Sequence, residues 1–372
     1  MREPHSRGAQ GRDARVARVG GSVTIDRAHL CARDGMTAQR FGVAPPSPTG
    51  GGILSAQADP AAFARILAHP GFAEIDAHPQ YGQFGRSYHP AIDGDHDCSF
   101  AVFAKDALAL ICLCAPLNGV LGFYGLPLKF IFNQSLNNDA HADALAAALG
   151  HIEQLMARHG LTEARVLDHA ATDTSLIGHQ CRVHGGTSSP RHTAYVDLSV
   201  GEVGWRAALR KSSRSLINWG KRSLSISYVN RDAPARDLFD RYRAFHAEVA
   251  GRVTRSERSW DAMYEWITQG GGELVMAHLA GQLVAGSLFV DGTEVCIYAS
   301  GVYDRTQFDK PLAHYPVWLG VERAHARGMR WLELGEIPEK GAVSDKEYQI
   351  GYFKRGFATD IVAEVIWRLS PK

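Results

Sequence analysis

The stretch Tyr348-Gln349-Ile350-Gly351-Tyr352-Phe353-Lys354-Arg355-Gly356-Phe357 sets one lysine among aromatic residues, two positions before a glycine. Apolar neighbours partly desolvate an ammonium, which strengthens its pull on a developing oxyanion and shifts its pKa. Gly356 permits a bend or a close backbone approach that other residues resist. A cation held this way suits acyl transfer, in which the tetrahedral intermediate carries negative charge on oxygen. The plainer reading of the same residues is a strand whose lysine reaches past aromatic packing to water.

Other residues offer charge or proton transfer. Arg206, Arg210 and Arg214 are spaced by four, which predicts one face of a helix, beside an apolar stripe of Trp205, Leu209 and Leu216. Lys211, Lys221 and Arg222 add charge, Trp219 sits near the end, and almost no acid balances them. Such a run is either a solvated face or a patch for phosphate on a nucleotide sugar, a lipid diphosphate or an RNA acceptor end. Arg252, Arg255 and Arg258 form a second basic cluster, expected at a helix end. Asp304, in Tyr303-Asp304-Arg305, could take a proton from an acceptor ammonium or simply pair with Arg305. His314 reads as a base or as a structural histidine. Glu333 and Glu336 flank Gly335 at a strand end, where ligands gather in α/β sheets, so one of them could meet an amine. Tyr298 and Tyr303 complete the candidate substrate contacts.

No metal site is expected. Asp93-Gly94-Asp95-His96-Asp97 opens like a calcium loop but has Cys98 at the sixth position and Ala104 at the twelfth. The 17 histidines include no H-E-x-x-H pair. Cys181, His184 and His192 read as part of a loop with Gly185-Gly186.

The elements that must position these residues repeat once. Residues 100–104, 107–114 and 120–124 read as three strands separated by turns, and so do 274–279, 282–290 and 293–300, with Gly281 and Asp291-Gly292 as turn chemistry. Each meander leads into a helical pattern, 140–159 and 312–327, that stops at Gly160 or Gly328. A short apolar run follows each, 164–167 and 331–334. Meander, helix, strand, repeated, predicts a duplicated α/β unit. Between the halves lie 195–199 and the basic helix; the region 221–273 reads as a single short helical segment.

Composition bounds the class. At 372 residues, 45% hydrophobic and 21% charged, the chain is long enough for two cores. A net charge of +1 provides no global field toward nucleic acid or an anionic membrane. The cysteines (Cys31, Cys98, Cys112, Cys114, Cys181, Cys296) are scattered and read as reduced thiols, which fits a cytoplasmic protein. The most apolar stretch, 107–132, is broken by Pro116, Asn118, Gly119, Gly122, Gly125 and Pro127, so no segment reads as membrane-spanning. Residues 1–35 lack the apolar core of a secretion signal. Residues 1–52 read as disordered, with Met36 an alternative start.

Taken together, residues 55–372 resemble the FemABX-like branch of the GNAT acyltransferase superfamily. The resemblance rests on Val196-Asp197-Leu198-Ser199 leading into the basic helix, and on the meander ending at Tyr298-Ala299-Ser300-Gly301. It rests further on Trp318 through Gly328-Met329-Arg330-Trp331-Leu332-Glu333-Leu334-Gly335, and on Phe353-Lys354-Arg355-Gly356-Phe357. It implies an α/β (α+β) fold of tandem GNAT-like domains, each a mixed central sheet flanked by helices, at 53–195 and 196–372. It also implies transfer of an acyl group, often aminoacyl from aminoacyl-tRNA, to an amine that in well-known members belongs to a peptidoglycan precursor. Carried over, Lys354 would stabilise the oxyanion near the end of the acyl carrier, with Phe353 packed beside it. Arg210, Arg214 and Lys221 are assigned to phosphate from charge alone.

Two departures refine this. No helical coiled-coil arm is visible. The stretch after the second meander, Arg305-Thr306-Gln307-Phe308-Asp309-Lys310, has no glycine where a single-domain GNAT cradles the pyrophosphate of coenzyme A. The expectation is an acyl- or aminoacyltransferase acting on an amine of a cell-envelope precursor or sugar, without a permanent cofactor. The donor is aminoacyl-tRNA, acyl-CoA or an acyl carrier; the acceptor is small or lipid-linked, which would allow peripheral membrane contact. A CoA-dependent N-acetyltransferase and a non-catalytic binding protein of the same fold are the alternatives.

Overall fold

The computed structural model describes residues 52–169 and 175–371. The expectations for residues 1–51, including disorder, Cys31 and the Met36 start, lie outside the described residues.

The first half contains β1 (Ile53–Ser55), α1 (Pro60–Leu67), a 3-10 segment (Pro70–Asp76), α2 (Gln83–Asp93), β2 (Phe100–Ala104), β3 (Ala107–Leu113), β4 (Ala115–Leu117), β5 (Val120–Gly122), β6 (Lys129–Phe132), α3 (Asn138–His159), β7 (Glu163–Asp168), α4 (Leu176–Val183) and β8 (Thr187–Asp197). The second contains α5 (Gly201–Ala208), α6 (Lys211–Ser223), β9 (Ser225–Val229), α7 (Arg236–Ala250), α8 (Glu257–Thr268), β10 (Gly272–Leu279), β11 (Gln282–Asp291), β12 (Val295–Tyr303), α9 (His314–Ala326), β13 (Trp331–Glu336), α10 (Asp345–Arg355) and β14 (Asp360–Leu369). Local signals set the long helix α3. The Asn137 side chain accepts from the Ala140 N–H at its start, and Gly160 closes it at φ 63°.

The strands form two sheets, β1-β2-β3-β6 and β4-β5-β7-β14-β8-β13-β12-β11-β10-β9. The last strand of the chain lies in the middle of the larger sheet. β14 pairs antiparallel with β7 of the first half and with β8, so one continuous sheet runs through both halves. The boundary expected at 195/196 falls inside β8.

Around β10–β13 the sheet is covered on both faces. Val275, Phe289, Cys296, Leu332 and Leu334 pack against α5, α6 and α9. Leu274, Met276, Leu288, Val290 and Ile297 pack against α7 and α8 on the other. Alternation along a strand produces this division. Phe289 is fully buried, and burying one such side chain contributes roughly 1.5–3 kcal/mol. The buried carboxylates Glu273 and Asp291 hold Arg323 and Arg327 and tie the C-terminal half of α9 to the β10–β11 hairpin. Burial there requires such pairing.

Four expectations change. Lys354 is on a helix, because Ser344 and Glu347 form a reciprocal capping box that starts α10. The basic helix is two helices. Leu209 and Arg210 are extended between α5 and α6, and the Arg210 N–H donates to the Gly356 carbonyl, which draws the chain out of helical geometry. Arg206 therefore does not share a helix with Arg214. The region 221–273 holds a strand and two helices; β9 pairs with β10, and Phe239, Tyr242, Trp260 and Met263 cover the sheet. In the first half the third meander position is taken by β6, which pairs with β3, while β5 joins the larger sheet beside β7.

Candidate active site between beta13 and alpha10

The C-terminal end of β13 is where the sequence's candidate chemistry gathers. Leu332 and Leu334 face the α9 core, so Glu333 and Gly335 face the other side of the sheet. Gly335 has φ +93°, and a Cβ there would lie 2.8 Å from Lys354 Nζ. The ammonium thus occupies the space a side chain would fill, and it donates to the Glu336 carbonyl at 3.4 Å. Burial pushes the Lys354 pKa below the ordinary lysine value, against the opposing charges of Glu333 and Glu336. Phe353 packs with the α9 core, in edge contact with His314 at 5.1 Å and with Phe357 at 5.2 Å. Adjacent residues of α10 thus serve the two faces of β13: Phe353 anchors the helix, and Lys354 points its charge to the far side.

The β12–β13 pair opens at this point. The two strands are parallel partners only over Val295–Ile297 and Trp331–Glu333, whereas β12 continues to Tyr303. Among the described residues no strand pairs with β12 on that side beyond Ile297, which leaves backbone groups available to a ligand.

Glu333 belongs to a hydrogen-bonded group that the sequence reading did not assemble. Its Oε2 accepts from His78 Nε2 at 2.7 Å and from the Tyr195 hydroxyl at 2.9 Å. The Gln80 N–H donates to His78 Nδ1 at 3.2 Å, which assigns the proton to Nε2. Burial alone would raise the Glu333 carboxyl, but His78, through charge when protonated and through its hydrogen bond, and the Tyr195 hydroxyl hold it below the ordinary glutamate value. Among the described residues, Oε1 carries no hydrogen-bond partner. Burial and the Glu333 charge push the Tyr195 hydroxyl well above the ordinary tyrosine value, so it remains a donor.

His78 is delivered from the first half. The N–H groups of Thr293, Glu294 and Val295 donate to the carbonyls of Asp76 and Ala77, docking the 76–79 loop onto the turn before β12. Gly292 allows this approach, since a Cβ there would lie 2.5 Å from the Ala77 carbonyl oxygen. Tyr195 lies directly opposite Glu333 in the β8–β13 register.

Farther along the same face of β8, Arg191 and Thr193 both bind Glu364 of β14, at 2.7 and 3.0 Å, and His169 lies 3.2 Å from its other oxygen. Burial opposes the Glu364 charge, yet His169 and Arg191 bring the pKa down to about 2. Alternate residues of β8 thus make a polar floor of Arg191, Thr193 and Tyr195, continuous with Glu333 and Lys354.

The expected site residues divide. Lys354, Phe353, His314, Glu336 and Arg210 come together around α10. Arg210 stacks on Tyr352 at 3.6 Å and donates to the Tyr352 carbonyl at 2.6 Å. His314 is driven to about 4 by burial, reinforced by the Arg210 charge, and its buried Nδ1 has no partner among the described residues. It is therefore neutral at physiological pH and packs as an aromatic ring. The hydroxyls of Tyr298 and Tyr303 hydrogen-bond to each other, and burial pushes both pKa values up. Trp219, Tyr303 and Tyr315 each pack against a small core of Leu224, Ala277, Val284, Ala285 and Leu312. Asp304 is not paired with Arg305: it caps the next turn through Thr306 and Gln307, which lower its pKa. Arg214 and Lys221 are exposed on α6. Arg252 and Arg255 lie in the α7–α8 loop, where Arg255 covers Trp260 at 5.2 Å, and neither has a contact with the α10 group. Among the described residues no cluster of three or more His, Cys, Asp or Glu could hold a metal ion, and no helix is long and apolar enough to cross a membrane.

Comparison with known proteins places this geometry. A model of the acetyltransferase (GNAT) domain matches residues 205–349, which include β12, α9, β13 and the start of α10. The crystal structure of FemX superposes with a TM-score of 0.57 at 13% identity, covering 80% of this chain and 94% of FemX. This is the FemABX-like GNAT fold. A tandem GNAT protein from the clavulanic acid biosynthesis pathway matches with a TM-score of 0.54 at 12% identity, over 86% of this chain and 98% of its own, and supports the duplicated arrangement. The C-terminal DUF2156 domain of an Agrobacterium fabrum protein assigned as a lysylphosphatidylglycerol synthetase matches with a TM-score of 0.50 at 11% identity, over 76% and 87%. No curated protein sequence matches the chain. In this GNAT-fold chain the parted strands are β12 and β13, and the helix after the parting is α9.

Proposed function

We propose that the chain is an acyltransferase that moves an acyl or aminoacyl group onto an amine of a cell-envelope precursor or sugar, acting in the cytoplasm. The observation that carries this reading is the Lys354 ammonium, partly desolvated beside the Glu333 carboxylate where β12 and β13 part.

The acceptor amine sits against Glu333 Oε1, and the donor carbonyl lies within reach of Lys354 Nζ. Attack by the neutral amine forms the C–N bond and places negative charge on the carbonyl oxygen, which the ammonium stabilises. Collapse breaks the bond to the donor oxygen or sulfur, and the proton lost by nitrogen leaves on that group. A carboxylate with a depressed pKa is a weak base, so the role of Glu333 is to bind and orient the amine. Tyr195 and His78 hold Oε2 and thereby aim Oε1.

The parted strands would also admit the arm of acyl-CoA. Residues 304–312 contain no glycine for the close backbone approach to a diphosphate, so acyl-CoA held in the usual way is the less favoured donor.

The test is amide formation, followed by mass spectrometry, when the protein is given aminoacyl-tRNA, acyl-CoA or acyl carrier protein with amino-sugar nucleotides or lipid-linked amines. The reading requires at least one product that disappears with Lys354→Ala. Absence of product from every pair, or full activity of that variant, would overturn it.

A further inference from the structure

Lys354 is the last residue but one of α10, and backbone carbonyls at a helix end lack partners within the helix. The Gly356 N–H turns back to the Phe353 carbonyl at 2.9 Å, so it does not serve the carbonyl of Tyr352. Arg210 supplies that donor: its Nη2 donates to the Tyr352 oxygen at 2.6 Å. The same guanidinium lies 3.6 Å from the centre of the Tyr352 ring. The Arg210 backbone N–H donates to the Gly356 carbonyl at 3.0 Å. One residue of the α5–α6 link therefore grips the chain two positions before and two positions after Lys354. Its charge stands at the C-terminal, negative end of the α10 dipole. Phe353 holds this last turn from the core, and Arg210 holds it from the side where Tyr352 is exposed.

We infer that Arg210 is a positioning residue, a clamp on the last turn of α10 that sets where the Lys354 ammonium sits. Its effect on turnover rests on the acyl-transfer reading of the Lys354 site; its effect on Lys354 itself does not. The bond from Nζ to the Glu336 carbonyl, at 3.4 Å, is long for an N–H donor. A bond that long does little to hold a flexible four-carbon chain, so the place of Nζ is set by the backbone that carries it. A shift of about 1 Å in that backbone would carry the ammonium away from the developing oxyanion, and a misplacement of that size can cost on the order of 100-fold in rate. Charge alone suggests phosphate binding for Arg210, but its guanidinium is already engaged, with one face on a ring and one nitrogen on a carbonyl. Both contacts use the planar, forked shape of arginine, which lysine lacks.

The test reads Lys354 directly and needs no substrate. The full chain and its variants R210A and R210K are labelled with trace acetic anhydride over a range of pH, and acetylation of Lys354 is followed by peptide mass spectrometry to obtain its pKa. The parent value should lie below the ordinary 10.5, and both variants should bring it back toward 10.5 as the ammonium swings into water. R210K keeps the positive charge, so a rise in that variant cannot come from loss of a neighbouring cation, and it carries the test if R210A does not fold. Lys105, exposed in the β2–β3 turn, is the internal control. With a working donor and acceptor, R210A should lower kcat about tenfold and leave each KM nearly unchanged, and added guanidinium ion should restore part of the loss in R210A but none in K354A. Unchanged Lys354 titration in R210K would overturn the inference. So would a raised KM for a phosphate-bearing substrate at constant kcat, which would make Arg210 a phosphate ligand. The two readings fail separately. If Lys354→Ala transfers normally while R210K raises the Lys354 pKa, the proposed function falls and the clamp stands. If the Lys354 titration is untouched while Lys354→Ala abolishes transfer, the clamp falls and the function stands.

Discussion

The ammonium of Lys354 fills the place where residue 335 would carry its side chain: a Cβ on Gly335 would stand 2.8 Å from Nζ. One missing methyl group on β13 makes room for the cation of α10. Gly335→Ala should therefore act twice, straining a backbone at φ +93° and displacing the ammonium. We expect a loss of about 1–2 kcal/mol in denaturant melts together with a clear fall in kcat. An alanine variant with unchanged turnover would show that the ammonium's position is not needed.

Lys354→Ala should lower kcat by about 10²–10³ while the protein stays folded, since a single oxyanion donor contributes on that scale. Far-ultraviolet circular dichroism and the thermal midpoint provide the control.

Glu333→Gln keeps the shape of the side chain and removes its charge. It should raise KM for the amine more than it lowers kcat, because the carboxylate is assigned to binding. His78→Asn should weaken the same step by loosening Glu333, and it should move the acid limb of the pH profile upward as the Glu333 pKa returns toward its ordinary value. A variant that changes kcat alone would place Glu333 in proton transfer.

Burial lowers the Lys354 pKa, so the charged, active form is lost on raising pH earlier than for an exposed lysine. Activity should fall on the alkaline side below the ordinary value of 10.5. Lys354→Arg, charged throughout this range, should remove that limb if it retains activity. The measurement is kcat/KM against pH.

Glu364 is lowered in the folded state from 4.5 to about 2. A depressed carboxylate contributes stability that is complete above its unfolded value and is lost as pH falls from about 4.5 toward 2. The difference corresponds to roughly 3 kcal/mol. Glu364→Gln should flatten the acid side of the stability curve across that window. Equal acid sensitivity of the variant and the parent would remove Glu364 from this role.

Much of the fold was legible because its signals are local. Turn residues at Gly281 and Asp291-Gly292, the period of α3, and the glycines ending α3 and following α9 act over a few residues. The capping box of Ser344 and Glu347 was equally local and would have placed Lys354 on a helix. The extended Leu209–Arg210 link could not be read from spacing, because a distant carbonyl, that of Gly356, draws the chain out of helical geometry.

The sequence by itself determined the lysine among aromatics, the acid-free basic stretch, and the order of elements that matches the FemABX-like GNAT fold. Tertiary structure alone decided that Lys354 lies against Gly335, that His78 reaches Glu333 across 255 residues, and that β14 inserts between β7 and β8. The physical reason is range. Propensity and capping act within a turn of chain, whereas a site of this kind forms where strand register and loop docking bring together groups whose spacing along the sequence carries no trace of contact.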